Sequence, residues 1–503
     1  MSLSIIAALY CIAAIGIATV LCRITFPESK GIIIRLGLSW GLLTAIAFVV
    51  SNPAAYFILT AFVLYQFCPR DIDERLLYYA AMLPAIPGVI NWNVPFPGIN
   101  FLVQLDYIKV LHLVILLPLL LKNHTPSTQP DTSLQKLLKI SPYITLYFVI
   151  IIILDWRENS FTNAGRHTLD ILWVTGLVVL VFMRCCQTQK SIESLFFGLL
   201  MAACFLSVIS LFQAATGWKF YTEIPRELST QYGNIYKIHY SRGSFLRTSA
   251  TMTPIPLGVY MAVATLLLFK FRTQARSLLF IGAFAGLFVF SIYTTGSRAA
   301  FLCMVILFGL YLFFNPKLKS IRVPLAFFFV VLLFPFIGVG GSFGSFTEYD
   351  PYGTFEYRMR LFSVSLELMK ENFLFGLRYY KEHPLMEQLI QGQGIIDVVN
   401  AYLHIVLRYG FLGLIFLALV IFTISLGLVR LRRECEKNPQ IQEMEKTVRT
   451  AMAIVLGFCI SIATVSLVDR LEIYLWFFLA VGICLMQMVK KYKVEAKDKL
   501  TQQ

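Results

Sequence analysis

Tyr357-Arg-Met-Arg-Leu-Phe-Ser-Val-Ser-Leu-Glu-Leu-Met-Lys-Glu-Asn-Phe-Leu-Phe-Gly376 is a polar stretch with helical spacing, and the chain turns apolar again through Asn400-Ala-Tyr-Leu-His404 and Tyr409-Gly-Phe-Leu-Gly413. It belongs to a stretch from Gly341 to Gly413 that comprises a polar loop and the return of the chain into an apolar run. The flanking runs are apolar and near the length that covers a hydrocarbon core of roughly 30 Å at about 1.5 Å per residue. The loop is therefore a connection above a membrane, and the rest of the chain reads as the scaffold that holds it there.

Working outward, the 503 residues are 58% hydrophobic and only 14% charged, with a mean hydropathy of +0.72. That balance excludes a water-soluble globular domain and defines an all-α, polytopic transmembrane helical bundle. Candidate spans are 3–22, 32–50, 53–68, 76–90, 105–121, 141–154, 168–184, 192–215, 253–271, 277–293, 297–314, 323–341, 399–429, 448–468 and 471–489, some fourteen or fifteen helices. Ser51-Asn-Pro53 marks a tight hairpin, because proline cannot continue a helix. Met1 to Cys22 lacks a basic start and reads as a first span. The ten cysteines show no metal-ligand spacing and read as small buried apolar residues.

Lys and Arg in the short loops set the expected orientation. With the N-terminus outside and the C-terminus inside, the inner segments hold 27 of the 43 Lys+Arg and 12 of the 28 Asp+Glu. The remainder is neutral, so the whole net charge of +15 lies on the cytoplasmic side. The basic balance is thus a topology signal and an attraction to anionic lipid, with no nucleic-acid partner. The expected organisation is N-terminal transmembrane helices over 1–215, and central helices with a first outer loop (216–253) over 216–341. A long loop over 342–398, C-terminal helices over 399–489 and an inner tail over 490–503 follow. Gly338–Gly344 and Asp350–Gly353 supply turns, whereas Phe355–Lys370 predicts an amphipathic helix across the outer face.

The spans carry almost no charge near their middles, which argues against an ion-coupled transporter. Arginines instead gather at the outer rim: Arg242, Arg247, Arg298, Arg358 and Arg360. A guanidinium fork matches phosphate oxygens and stays charged when partly buried, so converging arginines fit an anionic, lipid-linked ligand. Each alone could equally be an interfacial anchor. Arg298 is the best functional candidate, because the connection Thr294–Arg298 is too short for idle charge. Asp106, Lys109 and His112 share a face at i, i+3 and i+6, either as a salt-bridged rim pair with a polar neighbour or as part of a donor site.

These residues resemble the O-antigen ligase and Wzy-type polymerase family. Thr295-Gly-Ser-Arg-Ala-Ala-Phe-Leu is similar to its Ser-Arg-Gly element. Arg358-x3-Phe362-x3-Leu366 with Asn372-Phe-Leu-Phe-Gly376 is similar to its Arg-x3-Trp-x3-Leu…Pro-Leu-x-Gly-Val-Gly pattern. Asn400-Ala-Tyr-Leu with Tyr409-Gly-Phe-Leu-Gly413 resembles His-Asn-x-Tyr-Leu…Gly-Leu-Leu-Gly, and Arg247-Thr-Ser-Ala-Thr-Met with Pro254 resembles an Arg-x-x-Gly-Thr-Phe…Pro segment. Four elements stand in the family's order. The chain departs at Val399, where the family has His, at Phe373 for Pro, at Arg378 for the second Gly and at Ala299 for Gly.

The resemblance implies a metal-independent, cofactor-free membrane glycosyltransferase of the GT-C type. Its donor would be a glycan on undecaprenyl diphosphate and its acceptor a second glycan, at the periplasmic face of a bacterial inner membrane. A flippase and a chain-length regulator are the implied protein partners, with membrane lipids around it. The implied product is a surface or secreted polysaccharide made by polymerisation. A ligase that moves finished glycan onto lipid A-core or protein is the alternative within the family, and a transporter of polysaccharide or lipid-linked oligosaccharide is the alternative outside it. Arg242, Arg247, Arg298, Arg358, Arg360 and Arg378 are the expected diphosphate ligands. With the family's His absent, the candidate bases are Asp397 first, then His383 and His404. Tyr357, Tyr379, Tyr380, Asn400 and Tyr402 are the expected acceptor or glycan contacts, while Tyr349 and Tyr352 also offer faces for sugars; the tyrosines could equally be interface anchors.

Overall fold

The computed structural model describes residues 2–121, 142–157, 160–228, 241–242, 245–321, 353–391 and 394–501, with only the backbone described at 241–242, 245, 319–321, 354–355, 440 and 489–501. The expected span 323–341, the loop Lys122–Lys139, the turns Gly338–Gly344 and Asp350–Tyr352, Tyr349 and the side chain of Arg242 lie outside these residues.

Among the described residues, seven helices are long and apolar enough to cross a membrane and six shorter ones are equally apolar. With the short helix α4 and the polar loop helix α12 added, they are in chain order α1 (Leu3–Thr25), α2 (Lys30–Val49), α3 (Pro53–Phe67), α4 (Ile72–Met82), α5 (Tyr107–Leu121), α6 (Pro142–Asp155), α7 (Phe161–Cys185), α8 (Gln189–Thr216), α9 (Pro254–Lys270), α10 (Leu278–Thr294), α11 (Arg298–Phe313), α12 (Thr354–Glu371), α13 (Ala401–Lys437), α14 (Glu445–Ser461) and α15 (Leu471–Thr501). The only strands described are two-stranded ribbons, Asn91–Asn93 with Gln104–Asp106 and Ser241–Arg242 with Phe245–Leu246. The chain is an all-α polytopic membrane protein. The hairpin between α2 and α3 forms as expected: Asn52 Oδ1 accepts the Ala55 N–H at 3.0 Å, and Pro53 occupies the first helical position, where no N–H is needed.

The most enclosed span is α8, which packs on α1, α4, α9 and α10. Segments assigned by charge to one side do meet on one face. There the Arg276 N–H donates to Thr25 O at 2.8 Å, Lys446 Nζ to Lys270 O at 2.7 Å, and Lys270 pairs with Glu193 at 3.0 Å. The connections that carry the family-like motifs meet on the other, loop-bearing face.

Two expectations change. The span 76–90 is a helix only over Ile72–Met82, because Pro84 and Pro87 lack the N–H groups needed to continue it. Eleven residues reach about 16 Å, half a hydrocarbon core, so α4 ends inside the bundle with carbonyls exposed. Those carbonyls cannot stay unpaired. Arg470, 1% exposed, donates Nη1 to Leu83 O at 2.6 Å and Nη2 to Ile86 O, Tyr107 OH donates to Met82 O at 2.8 Å, and Thr251 Oγ1 donates to Pro84 O. A charge therefore does reach the bundle interior, as a cap for a broken helix. In addition, α5 and α7 each contain a π-helical stretch, His112–Leu116 and Ile171–Gly176. The widened turn frees a carbonyl: His112 Nδ1 donates to Trp173 O at 2.9 Å, and its Nε2 accepts from Tyr79 OH at 3.0 Å.

The loop helix α12 forms as expected and buries Leu361, Val364 and Leu368 in a small second core with Tyr380, Met386 and Leu389. The turn after it is inserted into a break in α13. Gly376 (φ +66°) and Gly410 (φ +69°) cross backbone to backbone. At the break, the Phe411 and Leu412 N–H groups donate to Phe373 O (2.9 Å) and Leu374 O (3.2 Å), and the Leu377 N–H donates to Leu407 O at 2.7 Å. A Cβ on Gly376 would lie 2.4 Å from Gly410 N, and one on Gly410 would lie 2.2 Å from Leu374 O. Both sites also need the left-handed conformation that a side chain disfavours. Gly376→Ala and Gly410→Ala should each lower stability by about 2 kcal/mol or more. Gly286→Ala, in a helix with open space around it, should be neutral or stabilising by a few tenths of a kcal/mol. Thermal melting of the three detergent-solubilised variants measures this contrast.

Candidate functional site

The loop-bearing face is organised by three sets of polar contacts. The first closes on Asp155, the last residue of α6. Its carboxylate is buried (2% exposed) and accepts from Arg378 Nη1, from Arg408 Nη2 at 3.1 Å and from Tyr409 OH at 3.4 Å. Two residues on, Arg157 spans the glycine crossing, donating Nη1 to Gly376 O at 2.9 Å and Nη2 to Arg408 O at 3.0 Å. A carboxylate at this depth is stable only because guanidinium donors surround it. Arg378, an expected diphosphate ligand, is thus placed against a carboxylate.

The second set joins the two arginine motifs. The Thr248 N–H donates to Thr294 O at 2.9 Å and Arg247 Nε to Thr295 O at 2.7 Å, so Arg247 packs over Gly296. Beneath, the hydroxyls of Ser210, Thr248 and Thr294 bond one another, and Gln213 Oε1 accepts the Ser249 and Ala250 N–H groups at 3.1 and 2.9 Å. Arg298 is the first residue of α11, exposed, just after its Ser297 cap. A cation at a helix N-terminus adds to the positive end of the macrodipole instead of offsetting it. Lys219 lies buried within electrostatic reach of Arg247, and burial, reinforced by Arg247, pulls its ammonium down to about 8. Lys219 and Arg247, with Arg298 at the N-terminus of α11 two residues beyond the glycine that Arg247 packs on, bring three cations to neighbouring stretches and suit a phosphate group, whereas the N-terminus of α9 is already met by the Asp469 carboxylate.

The third set is the connection 462–470, between α14 and α15. Arg358 Nη2 donates to Thr464 O at 3.3 Å, Ser466 Oγ donates to Asp397 Oδ1 at 2.6 Å, and Asp469 Oδ2 accepts the Thr253 N–H at 2.9 Å. Arg470 follows at the end of α4. This hairpin therefore ties α12, the segment before α13, the start of α9 and the broken helix into one unit.

The expected bases differ in surroundings. Asp397 is held by Ser466 through one oxygen, and its backbone carbonyl accepts from Tyr357 OH at 2.9 Å. His404 Nδ1 meets Tyr380 OH at 2.6 Å. His383 caps the short turn Pro384–Glu387, its Nδ1 accepting the Leu385 N–H at 3.2 Å, so the ring proton sits on Nε2, 3.3 Å from Glu371. Asn400 caps α13 through bonds to the Tyr402 and Leu403 N–H groups at 3.0 and 3.1 Å, and Tyr402 OH donates to Cys459 O at 2.6 Å. Arg360 makes an exposed pair with Glu356 at 2.7 Å. Tyr379, Tyr380 and His383 help line an open cleft of about 390 Å³ that includes none of Arg247, Arg298 or Arg358. Asp106 and Lys109 pair at 3.4 Å as a rim pair, with Asp170 closer to the ammonium at 2.8 Å. No cluster able to hold a metal occurs among the described residues.

Sequence reasoning missed Asp155, Arg157, Lys219, Asp469 and Arg470. The argument that singled out Arg298, a charge in a connection too short to carry it idly, applies equally to Asp469-Arg470 and Asp155-Trp-Arg157. It was the available signal.

The fold defines a polytopic membrane protein with an elaborated loop-bearing face. Residues 281–418 match the family model of O-antigen ligase, so over that segment the chain is similar to that family. No curated protein matches the chain.

Asp155→Ala would leave Arg378 buried and Arg408 partly buried without their carboxylate, and should cost about 3 kcal/mol. Arg360→Ala, which removes an exposed pair, should stay within about 1 kcal/mol of the parent. Equal melting temperatures for the two variants would contradict this account of the knot.

Proposed function

We propose that the protein transfers a glycan from a polyprenyl diphosphate donor, undecaprenyl diphosphate in a bacterial inner membrane, to an acceptor sugar at the loop-bearing face. The observation that carries this reading is the electropositive corner formed by Lys219, Arg247 and Arg298 within the region that joins the family-like motifs. Departure of the diphosphate concentrates negative charge, and fixed guanidinium and helix-terminus donors stabilise that charge as it grows. Asp397, held by Ser466 on one oxygen, is the proposed base that receives the acceptor hydroxyl's proton. In this scheme Arg358 fixes α12 over the 462–470 hairpin and orients the segment bearing Asp397. Tyr379, exposed beside the cleft of about 390 Å³, offers a ring face to a sugar.

Polymerisation of repeat units into a surface polysaccharide is the reading we favour; the description of the matching family favours the ligase reading. Purified protein given lipid-linked repeat units alone should produce a ladder of chain lengths if it polymerises. A single product that requires an added acceptor identifies a ligase. The distribution of buried charge speaks against transport. Among the described residues, the buried Lys109, Asp155, Lys270, Arg432 and Arg449 are each held in an ion pair. Arg470, which reaches the bundle interior, is committed to backbone carbonyls.

Arg298→Ala should abolish transfer without loss of folded protein, and Arg298→Lys should remain poor because a point charge lacks the bidentate fork. Arg358→Ala and Asp397→Asn should each lower kcat by about 10²-fold or more. Full activity in Arg298→Ala would remove the diphosphate assignment, and full activity in Arg358→Ala would remove its role in orienting α12.

Lys219 makes the reading pH-sensitive. Its ammonium is present below about 8 and lost as pH rises through that value, so the corner loses one cation. The KM for donor should rise above about pH 8, by about tenfold for one charge-assisted bond of roughly 1.5 kcal/mol. Lys219→Met should show that raised KM already at pH 7 and abolish its pH dependence. A KM profile identical in parent and variant would exclude Lys219 from the site.

A further inference from the structure

One exposed surface is left unexplained by the transfer chemistry, and it begins on α12. That helix has three faces. Leu361, Val364, Ser365 and Leu368 are buried, Glu356, Arg360, Ser363 and Glu367 form a polar face, and Met359, Phe362 and Leu366 form a third, exposed apolar ridge. An ordinary surface helix has one apolar stripe and puts charge on the rest. The turn that follows exposes Phe373, Leu374 and Phe375 in succession.

The inserted turn reveals what this surface adjoins. Below the break at Gly410, α13 exposes Phe411, Ile415, Ala418, Phe422 and Leu426, spaced by three and four residues, while Gly413, Leu417, Val420, Ile424 and Leu428 are buried. In a spanning helix such a regular apolar stripe is the side that faces lipid. Phe373 stacks on Phe411, the top of that stripe, with centroids 4.9 Å apart and planes at 21°. The main chain of the turn is hydrogen-bonded to residues 411 and 412. The exposed turn is thus continuous with the lipid-facing surface of a span. Above the break, α13 carries His404 and Arg408, so the change from polar to uninterrupted apolar sequence falls at the level of the turn.

We propose that the apolar underside of the loop, the Phe373–Phe375 turn together with the Met359, Phe362 and Leu366 ridge, is seated among phospholipid acyl chains of the adjacent leaflet. The loop is then held to the membrane on its own side as well as at its ends. Glu356, Arg360, Ser363 and Glu367 face water, and α12 lies along the interface like an amphipathic anchor helix. The glycine crossing fixes the depth of insertion, because the turn cannot slide along α13 without breaking its three backbone hydrogen bonds.

The test places photoreactive benzoylphenylalanine singly at Phe362, Leu374 or Phe375, at Phe422 as a lipid-facing reference and at Glu367 as a water-facing one. The full chain is reconstituted in vesicles of phosphatidylethanolamine and phosphatidylglycerol that contain no polyprenyl lipid. Irradiation should give phospholipid adducts at positions 362, 374 and 375 at yields within about threefold of position 422, and none at 367. Adducts to residues 323–341 of the same chain would show that protein covers the surface, and would overturn the proposal. So would adducts that appear only after a polyprenyl diphosphate is added, which would make the surface a groove for the donor's tail. Since two probes lie on the turn and one on the ridge, loss of one variant to misfolding leaves the outcome readable.

Discussion

A single carboxylate holds the loop-bearing face together. Asp155 ends α6, and from there it binds one arginine of the loop and one of α13, while Arg157 bridges carbonyls from both. In water such pairs contribute little, but in a site this enclosed each guanidinium depends on the carboxylate for its stability and the carboxylate on them. The geometry they impose is a backbone crossing that only glycine permits on both strands. From Thr354 onward the loop is therefore not a flexible tether. It is pinned at its second end by charge, by main-chain hydrogen bonds and by the absence of two side chains.

The same logic recurs at the hairpin 462–470. Four separate elements make polar contacts with these nine residues, and the last of the nine, Arg470, caps a helix that proline has cut short. Membrane interiors do not tolerate free carbonyls, so a broken helix demands donors from elsewhere in the chain. The supply of those donors from the hairpin links the position of Asp397 to the integrity of α4, far earlier in the sequence. The region matched by the family model covers 281–418 only, yet its contacts depend on Asp155, Arg157 and the 462–470 hairpin on either side of it.

Much of the fold was legible because hydropathy is strong and local. Runs of apolar residues placed the helices, Ser51-Asn-Pro53 marked a hairpin, and helical spacing over Phe355–Lys370 marked the loop helix. The misreading at 76–90 arose because Leu83 to Ile90 remains apolar after the helix has ended, so composition could not see what Pro84 and Pro87 do to the backbone. Among candidate site residues, sequence brought Arg247 and the Thr294–Arg298 turn into one hypothesis, and the structure shows their segments hydrogen-bonded. It could not show that Arg378 faces Asp155, since that contact joins residues 223 positions apart. It also could not show that the Leu385 N–H, two residues on, fixes the ring proton of His383. Partners distant in sequence leave no periodic trace, and the most informative groups here are of that kind.

The π stretches of α5 and α7 have a consequence for how these helices are read. Each packs one residue more into its turn than an α-helix would, which rotates everything beyond it by about 100° relative to what precedes it. The face shared by Asp106 and Lys109 therefore cannot be projected past His112 onto Leu119, nor that of Arg166 past Gly176 onto Phe182. The two phase shifts lie side by side and are joined by the bond from His112 to the Trp173 carbonyl, so each helix changes step at the point where its neighbour does. Together they act as a matched pair of dislocations, letting one end of each helix follow the polar rim while the other follows the packing of the bundle.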